Sequence, residues 1–238
     1  MFKAFQKGQQ FKGFPALNFQ LNNERFGFSA CTFDLDARYN TNTLTNGAAI
    51  SSWRDTIGYY NFSQATAGNQ PSYNSTTLLL NNYPSIQFTN QRSLLGPQNF
   101  GFETVAFVFY NSSLNLQNVL LGTSDANNTS FSRINTGGTA DPGPNGISYI
   151  TSLTTVVAAS FVNDTNPHIV VIGTNCFVID GVTYTTPNRP VSFARISNTT
   201  NGGSFLGYVT RILGYKNPMN QDQAFQLCEN INNEYAIY

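Results

Sequence analysis

The sequence predicts an all-β chain: a sandwich of two antiparallel sheets with a short C-terminal helix and an N-terminal arm. Three observations predict it. Short runs alternating apolar and polar residues recur along most of the 238 residues, the period of strands that bury one face. Phe and Tyr are abundant, 20 and 12 of them, and with Thr and Val they suit pleated, half-buried surfaces. Helical spacing stands out only near the C-terminus. A chain of this length buries roughly 70–75% of its extended surface, and sandwiches of about 200–250 residues commonly form one unit. One main domain over residues 26–238 is therefore expected, preceded by an arm over residues 1–25.

The arm holds Phe2, Phe5, Phe11, Phe14 and Phe19 among Lys, Gln and Gly. Gly8, Gly13 and Pro15 break any helix there. Exposed aromatic patches mark contact sites, so Phe2, Phe5, Phe11 and Phe14, with Lys3, Lys7 and Lys12, are candidate docking residues. A core-padding strand is the alternative.

From Phe26 the chain reads as strands: residues 26–31 and 32–36 alternate. Asn46-Gly47 is a turn dipeptide. A short segment leads through Trp53 to Asp55, and residues 56–76 read as a polar loop. Residues 78–80 and 85–88 are the next strands. Residues 104–110 (TVAFVFY) are nearly continuous in apolar character, as expected of a strand buried on both faces. Strands follow at residues 118–121 and 131–134. Residues 135–146, with four Gly and two Pro, form an exposed loop. Residues 155–162 and 168–172 are strands. Residues 175–184 form a hairpin turning at Asp180-Gly181, and residues 205–215 form a long strand. The helix begins after Pro218. Asn220 caps it, Gln223 completes a capping box, and Ala224, Phe225, Cys228 and Ile231 recur on one face.

Several of these segments also occur in a telling order: Leu35-Asp36-Ala37, then Trp53-Arg54-Asp55, a polar loop from Gln64 to Tyr73, then Tyr83-Pro84-Ser85-Ile86-Gln87-Phe88. The chain closes with Gly207-Tyr208-Val209 to Tyr215, a turn, the helix and a terminal Tyr. This resembles the laminin-G-like, concanavalin A-like lectin/glucanase domains, and the likeness covers roughly residues 30–238. It implies a jelly-roll sandwich in which the Trp/Asp turn is structural. Arg211 stands where that family usually has Glu, which reads as a surface change.

Composition narrows the function. Only 10% of residues are charged, against ~25% in soluble domains, and formal net charge is zero. No broad basic face exists for nucleic acid. No segment approaches the ~18 apolar residues of a membrane span, and no signal peptide is visible. Cys31, Cys176 and Cys228 are odd in number and widely spaced, which argues against a disulfide framework and for a reducing cytosol. Asn-x-Ser/Thr triplets (Asn61, Asn74, Asn111, Asn163, Asn198) follow from the Asn/Thr-rich composition.

Catalytic chemistry is thin. The sole histidine, His168, opens an apolar strand and reads as a strand-edge or exposed structural residue, so a serine triad lacks its base. One His and three scattered Cys are too few for a typical zinc site. No phosphate-binding glycine motif follows a strand. Glycoside hydrolysis needs two carboxyls flanking the bond. None of the four Glu has an Asp two residues later, leaving Asp34 and Asp36, which share one strand face and could form an acid pair or a cation site; a structural role is expected for Asp36. Asp125–Asn128 and Asn163-Asp164 are weak calcium candidates. Tyr59, Tyr60 and Asn61, beside Trp53 and Asp55, supply the ring and amide that sugar binding uses.

The expectation is a non-enzymatic virion structural protein (capsid decoration, fibre or tail-associated module) assembled in a host cytoplasm. It would dock on other virion proteins through its arm as a homo-oligomer, with no cofactor, no nucleic acid and no membrane. The alternatives are a glycan-binding adhesion module and a glycoside hydrolase with an atypical acid pair.

Overall fold

A computed structural model describes residues 24–39, 44–89, 91–113, 119–123, 132–136, 146–151, 154–160, 165–197 and 205–238. The strands run in order β1 (Cys31–Asp36), β2 (Ser52–Arg54), β3 (Asn61–Ser63), β4 (Ser72–Thr77), β5 (Tyr83–Phe88), β6 (Leu94–Phe102), β7 (Thr104–Asn111) and β8 (Val119–Gly122). They continue with β9 (Ser132–Thr136), β10 (Gly146–Thr151), β11 (Thr154–Ser160), β12 (Pro167–Gly173), β13 (Cys176–Ile179), β14 (Val182–Thr183), β15 (Val191–Ile196) and β16 (Gly207–Tyr215). Helix α1 (Gln221–Tyr235) closes the chain.

Among the described residues these strands form two antiparallel sheets, as the alternation predicts. The first has the order β14-β13-β12-β7-β16-β5-β4, with β1 also on β16. The second has the order β11-β10-β9-β8-β15-β6-β3-β2. The edge of β16 is divided. Gly207–Val209 pair with β5, whereas Arg211–Tyr215 pair with β1, with a bulge between Val209 and Arg211 in the register to β7. Thr210 at the junction gives its carbonyl to the Ala37 N–H at 2.9 Å. The first sheet therefore splits where β1 ends.

Apolar side chains fill two layers. Between the sheets lie Phe33, Phe62, Phe100, Phe102 and Phe193, with Phe33 within 5.7 Å, centroid to centroid, of the other four rings. Behind the first sheet, Val108, Ile169, Val171 and Leu213 pack against Leu227, Cys228, Ile231 and Tyr235 of α1. Strand β7 sits between both layers and every residue in it is buried, which is why its sequence is continuous rather than alternating.

Local signals fare unevenly. The capping box forms as expected: Asn220 Oδ1 accepts from Gln223 N at 2.9 Å and Gln223 Oε1 from Asn220 N at 3.0 Å. The buried helix face is Ala224, Leu227, Cys228, Ile231 and Tyr235; Phe225 is exposed. The Asp180-Gly181 turn has positive φ at both residues, 48° and 73°, the geometry a two-residue hairpin needs. Residues 26–31 are not a strand. Phe26 and Gly27 turn at φ 54° and 80°, bridged by Arg25 and Phe28. The polar loop at 56–76 holds β3 and most of β4; β4 lies at a sheet edge, where hydroxyl and amide side chains are tolerated, and β3 pairs between β2 and β6 around the buried Phe62. Leu78–Leu80 form a 3₁₀ turn with Leu78 80% exposed. Strands β6 and β15 lacked a clean alternation and escape the sequence reading.

Candidate functional site

Alternation along β1 sends Phe33 and Leu35 into the inter-sheet core and Asp34 and Asp36 to the opposite face, both buried. Two carboxylates there need partners, since an unpaired buried charge is costly. Arg211 of β16 supplies a bidentate pair to Asp34: Nε donates to Oδ1 and Nη2 to Oδ2, each at 2.9 Å. Arg25 Nε donates to Asp34 Oδ2 at 2.9 Å. Arg38 grips Asp36 through Nη2 at 2.5 Å and Nε at 3.0 Å, and its backbone N–H adds a bond of 2.9 Å. Glu234, in the last turn of α1, closes the network with Arg38 Nη1 at 2.5 Å and Arg211 Nη1 at 3.7 Å. Burial pushes the Asp34 carboxyl upward, but Arg211 and then Arg25 outweigh it and hold the group below the ordinary carboxylate range. The same pairing keeps buried Arg211 cationic.

The Trp/Asp turn locks this strand in place. Trp53 is fully buried and its Nε1–H donates to the Asp36 carbonyl at 3.3 Å. Asp55 accepts from the N–H groups of Asp34, Ile57 and Gly58 at 2.6, 3.1 and 2.5 Å. Burial nevertheless raises its carboxyl above the usual range, those three donors opposing. The turn is therefore structural, as the laminin-G-like resemblance implies.

Beside the network opens a cavity of about 730 Å³, lined by Glu24, Arg25, Phe26, Asp34, Arg38, Tyr39, Arg54, Asp55, Thr56, Tyr59, Arg211 and Glu234. Tyr59 is 68% exposed at its rim. It holds φ at 61°, a left-handed conformation that costs a non-glycine residue about 1–2 kcal/mol. The Arg54 guanidinium sits 4.9 Å from its ring centroid, which limits ring motion.

The three predicted sugar-contacting residues separate. Tyr59 lines the cavity. Tyr60 turns the other way, edge-on to Phe100 at 4.9 Å, and lines a shallow depression of about 140 Å³ with Thr32, Gln98, Asn99 and Lys216. Asn61 lies in β3 opposite Arg54 and is exposed. The docking candidates Phe2, Phe5, Phe11, Phe14, Lys3, Lys7 and Lys12, and the calcium candidates near Asp125 and Asp164, lie outside the described residues. Among the described residues no group of three or more His, Cys, Asp or Glu side chains is placed to hold a metal ion, and no helix is long and apolar enough to cross a membrane.

Two single-residue readings change. Arg211 is not a surface substitution; it is 5% exposed and central to the network. His168 is buried rather than exposed, and its Nδ1 bonds Asp180 Oδ2 at 2.6 Å, tying β12 to the hairpin turn. The three thiols are all buried. Burial pushes Cys31 and Cys176 up to about 12 and Cys228 up to about 11, which disfavours the reactive thiolate. Sequence reasoning missed Arg25, Arg38 and Glu234 as site residues. The only local signal was Arg38, two residues beyond Asp36.

No protein-family model matches the sequence, and no curated protein matches it. Solved structures do. An arabinofuranosidase complexed with arabinofuranosyl-α-1,2-xylobiose is 12% identical with a TM-score of 0.54, over 86% of this chain and 59% of that one. Domain 4 of AbnA, a GH43 extracellular arabinanase from Geobacillus stearothermophilus in complex with arabinotriose, is 12% identical with a TM-score of 0.55, over 83% of this chain and 98% of that one. The Trypanosoma rangeli sialidase in complex with the inhibitor DANA is 11% identical with a TM-score of 0.52, over 85% of this chain and 34% of that one. The chain thus spans under two thirds of the arabinofuranosidase, about a third of the sialidase and nearly all of the arabinanase domain. At this identity the likeness is one of fold: a β-sandwich shared with carbohydrate-active enzymes and their domains.

These neighbours overturn the expectation of a non-enzymatic virion structural protein; all three are carbohydrate-active proteins. The physical premises also weaken. Buried thiols say nothing of compartment. The charge-poor body read as a docking surface instead gathers charge around one cavity.

Proposed function

We propose that this chain is a glycan-recognition domain of a carbohydrate-active protein, holding a neutral sugar in the cavity beside Asp34 and Arg211. The laminin-G-like resemblance of its Trp/Asp turn belongs to the same reading. The observation that carries it is the juxtaposition of an exposed Tyr59 ring, held in a strained backbone conformation, with planar carboxylate and guanidinium groups immobilised by one another. Strained residues persist where surrounding structure over-determines them, commonly at functional sites. A ring face takes the apolar face of a sugar, while fixed polar groups at the rim meet its hydroxyls. The cavity volume falls within the ~300–1,000 Å³ of small-ligand sites. Its lining balances four arginines, Arg25, Arg38, Arg54 and Arg211, against four acids, Glu24, Asp34, Asp55 and Glu234. A balanced lining has no net field to hold an anionic ligand, which favours an uncharged one. Titration calorimetry with arabinotriose, the sugar held by the arabinanase domain, is the first test, followed by a neutral-glycan array. Tyr59→Ala is expected to weaken binding roughly tenfold with an unchanged fold. Absence of binding to every neutral glycan would end the reading.

A second reading, hydrolysis in the same cavity, is favoured by one observation. Asp34 is held below the ordinary range and Asp55 above it, the opposed environments that separate a charged from a protonated carboxyl in glycosidases. The pair differs from the Asp34/Asp36 couple suggested by the sequence, because Asp34 and Asp55 line the cavity and Asp36 does not. Reducing-sugar release from arabino-oligosaccharides, lost in Asp55→Asn, would support it; no release would remove it.

A further inference from the structure

Tyr59 and Tyr60 are consecutive yet face different hollows, and the wall between those hollows is thin. A Cβ added to Gly58 would lie 2.6 Å from both Asp55 Oδ2, on the cavity side, and Tyr60 Cε2, on the depression side. The Asp55 carboxyl and the edge of the Tyr60 ring therefore border the same small space beside the Gly58 Cα. At the other border, Thr32 and Phe33 of the depression run straight into Asp34 of the cavity.

We propose that the depression under Tyr60 is a second sugar subsite adjoining the cavity, so that the ligand is a neutral oligosaccharide chain rather than a single sugar. This rests on the glycan reading above. Strand β6 is shaped to serve it: β6 takes five steps from Leu95 to Phe100 while its partner β15 takes two from Phe193 to Arg195. The surplus residues bulge outward, and bulges re-aim side chains beside binding sites. Gln98 and Asn99 emerge there, both exposed, presenting amides that donate and accept. Lys216 is a fixed donor, its Nζ bonded to the Gly101 carbonyl at 2.7 Å and 5.1 Å from the Phe102 ring centroid. A ring, two amides and an ammonium form a polar, aromatic-edged surface suited to sugar hydroxyls.

The test is calorimetric, on the whole chain, with arabino-, xylo- and gluco-oligosaccharides of one to five units. Affinity is expected to rise at least tenfold between one unit and three. Tyr60→Ala and Gln98→Ala should each shrink that gain severalfold. Melting temperatures accompany both variants. If Tyr60→Ala melts early because it loses Phe100, exposed Gln98→Ala decides alone. Equal affinity for one and three units, or a gain that survives both substitutions, overturns the second subsite and leaves the glycan reading standing. Failure of the unaltered chain to bind any of these sugars or any glycan of the neutral array defeats the glycan reading and this inference with it.

Discussion

The space between the sheets and the outer face of β1 are separated by one strand and built from opposite materials. Inward, Phe33 meets Phe62, Phe100, Phe102 and Phe193; outward, Asp34 meets Arg211 and Arg25. The inner layer gains from removing aromatic surface from water, a non-directional effect with many acceptable partners. The outer layer consists of paired ions whose desolvation roughly offsets their attraction, so it adds little net stability. What it provides is position: guanidinium and carboxylate planes fixed around a cavity. In a chain with so few charged residues, this concentration explains why the remaining surface relies on amides and hydroxyls.

That contrast can be broken at several strengths. Phe33→Ala should act most strongly. It leaves a void against four rings, and truncating a buried Phe costs about 3–5 kcal/mol, read from the urea midpoint. A loss below about 1 kcal/mol would mean that the inner layer collapses readily and is not the stabilising one.

Arg211→Met comes next. Removing one member of a buried pair costs about 3–5 kcal/mol because its partner is left uncompensated, and Arg25 holds the loss toward the lower end. Combining it with Asp34→Leu should recover most of that loss while leaving sugar binding impaired. If the double variant is no more stable than the single one, the network stabilises the fold after all.

Acid probes the same contrast more gently. Asp34 has a depressed folded-state value, so its contribution is present above its unfolded value of about 3.9 and fades as pH falls below it. Asp55 has the opposite sign. Its raised folded-state value favours the folded chain as pH falls toward about 3.9 and adds nothing further below. Urea midpoints between about pH 6 and pH 2.5 should therefore show a shallow rise and then a fall. Asp34→Asn should flatten the fall, and Asp55→Asn should remove the rise.

The smallest effect concerns Tyr59. Tyr59→Gly should raise stability by about 1 kcal/mol by relieving its left-handed backbone, while weakening sugar binding roughly tenfold. Gain of stability with binding intact would show that the strained ring serves no ligand.

Much of the architecture was legible in the residues because the relevant signals are local. The apolar run at 104–110 could only be a doubly buried strand. Asn220 and Gln223 form their box within one helical turn, and Asp180-Gly181 turns as its backbone freedom allows. Among the elements that escaped, β6 and β15 are interrupted by a bulge and by mixed polarity, and β3 and β4 are short and rich in polar side chains, so no clear period marks them. At the candidate site, Tyr59 and the shared face of Asp34 and Asp36 were readable from adjacency and strand alternation. Arg25, Arg38 and Glu234 were not.

By itself the sequence determined the two-sheet β class, the closing helix and which acids share a face, since each follows from spacing within a few residues; the structural role of the Trp/Asp turn was implied by the family resemblance. Only the tertiary structure decided which charges meet. Arg211 reaches Asp34 across 177 positions of sequence, and Glu234 arrives from the end of α1 to join them. Electrostatic partnership depends on distance in space and on removal from water, and neither is written in the local pattern of a chain; both arise when the sheet splits at Thr210 and the helix packs behind it.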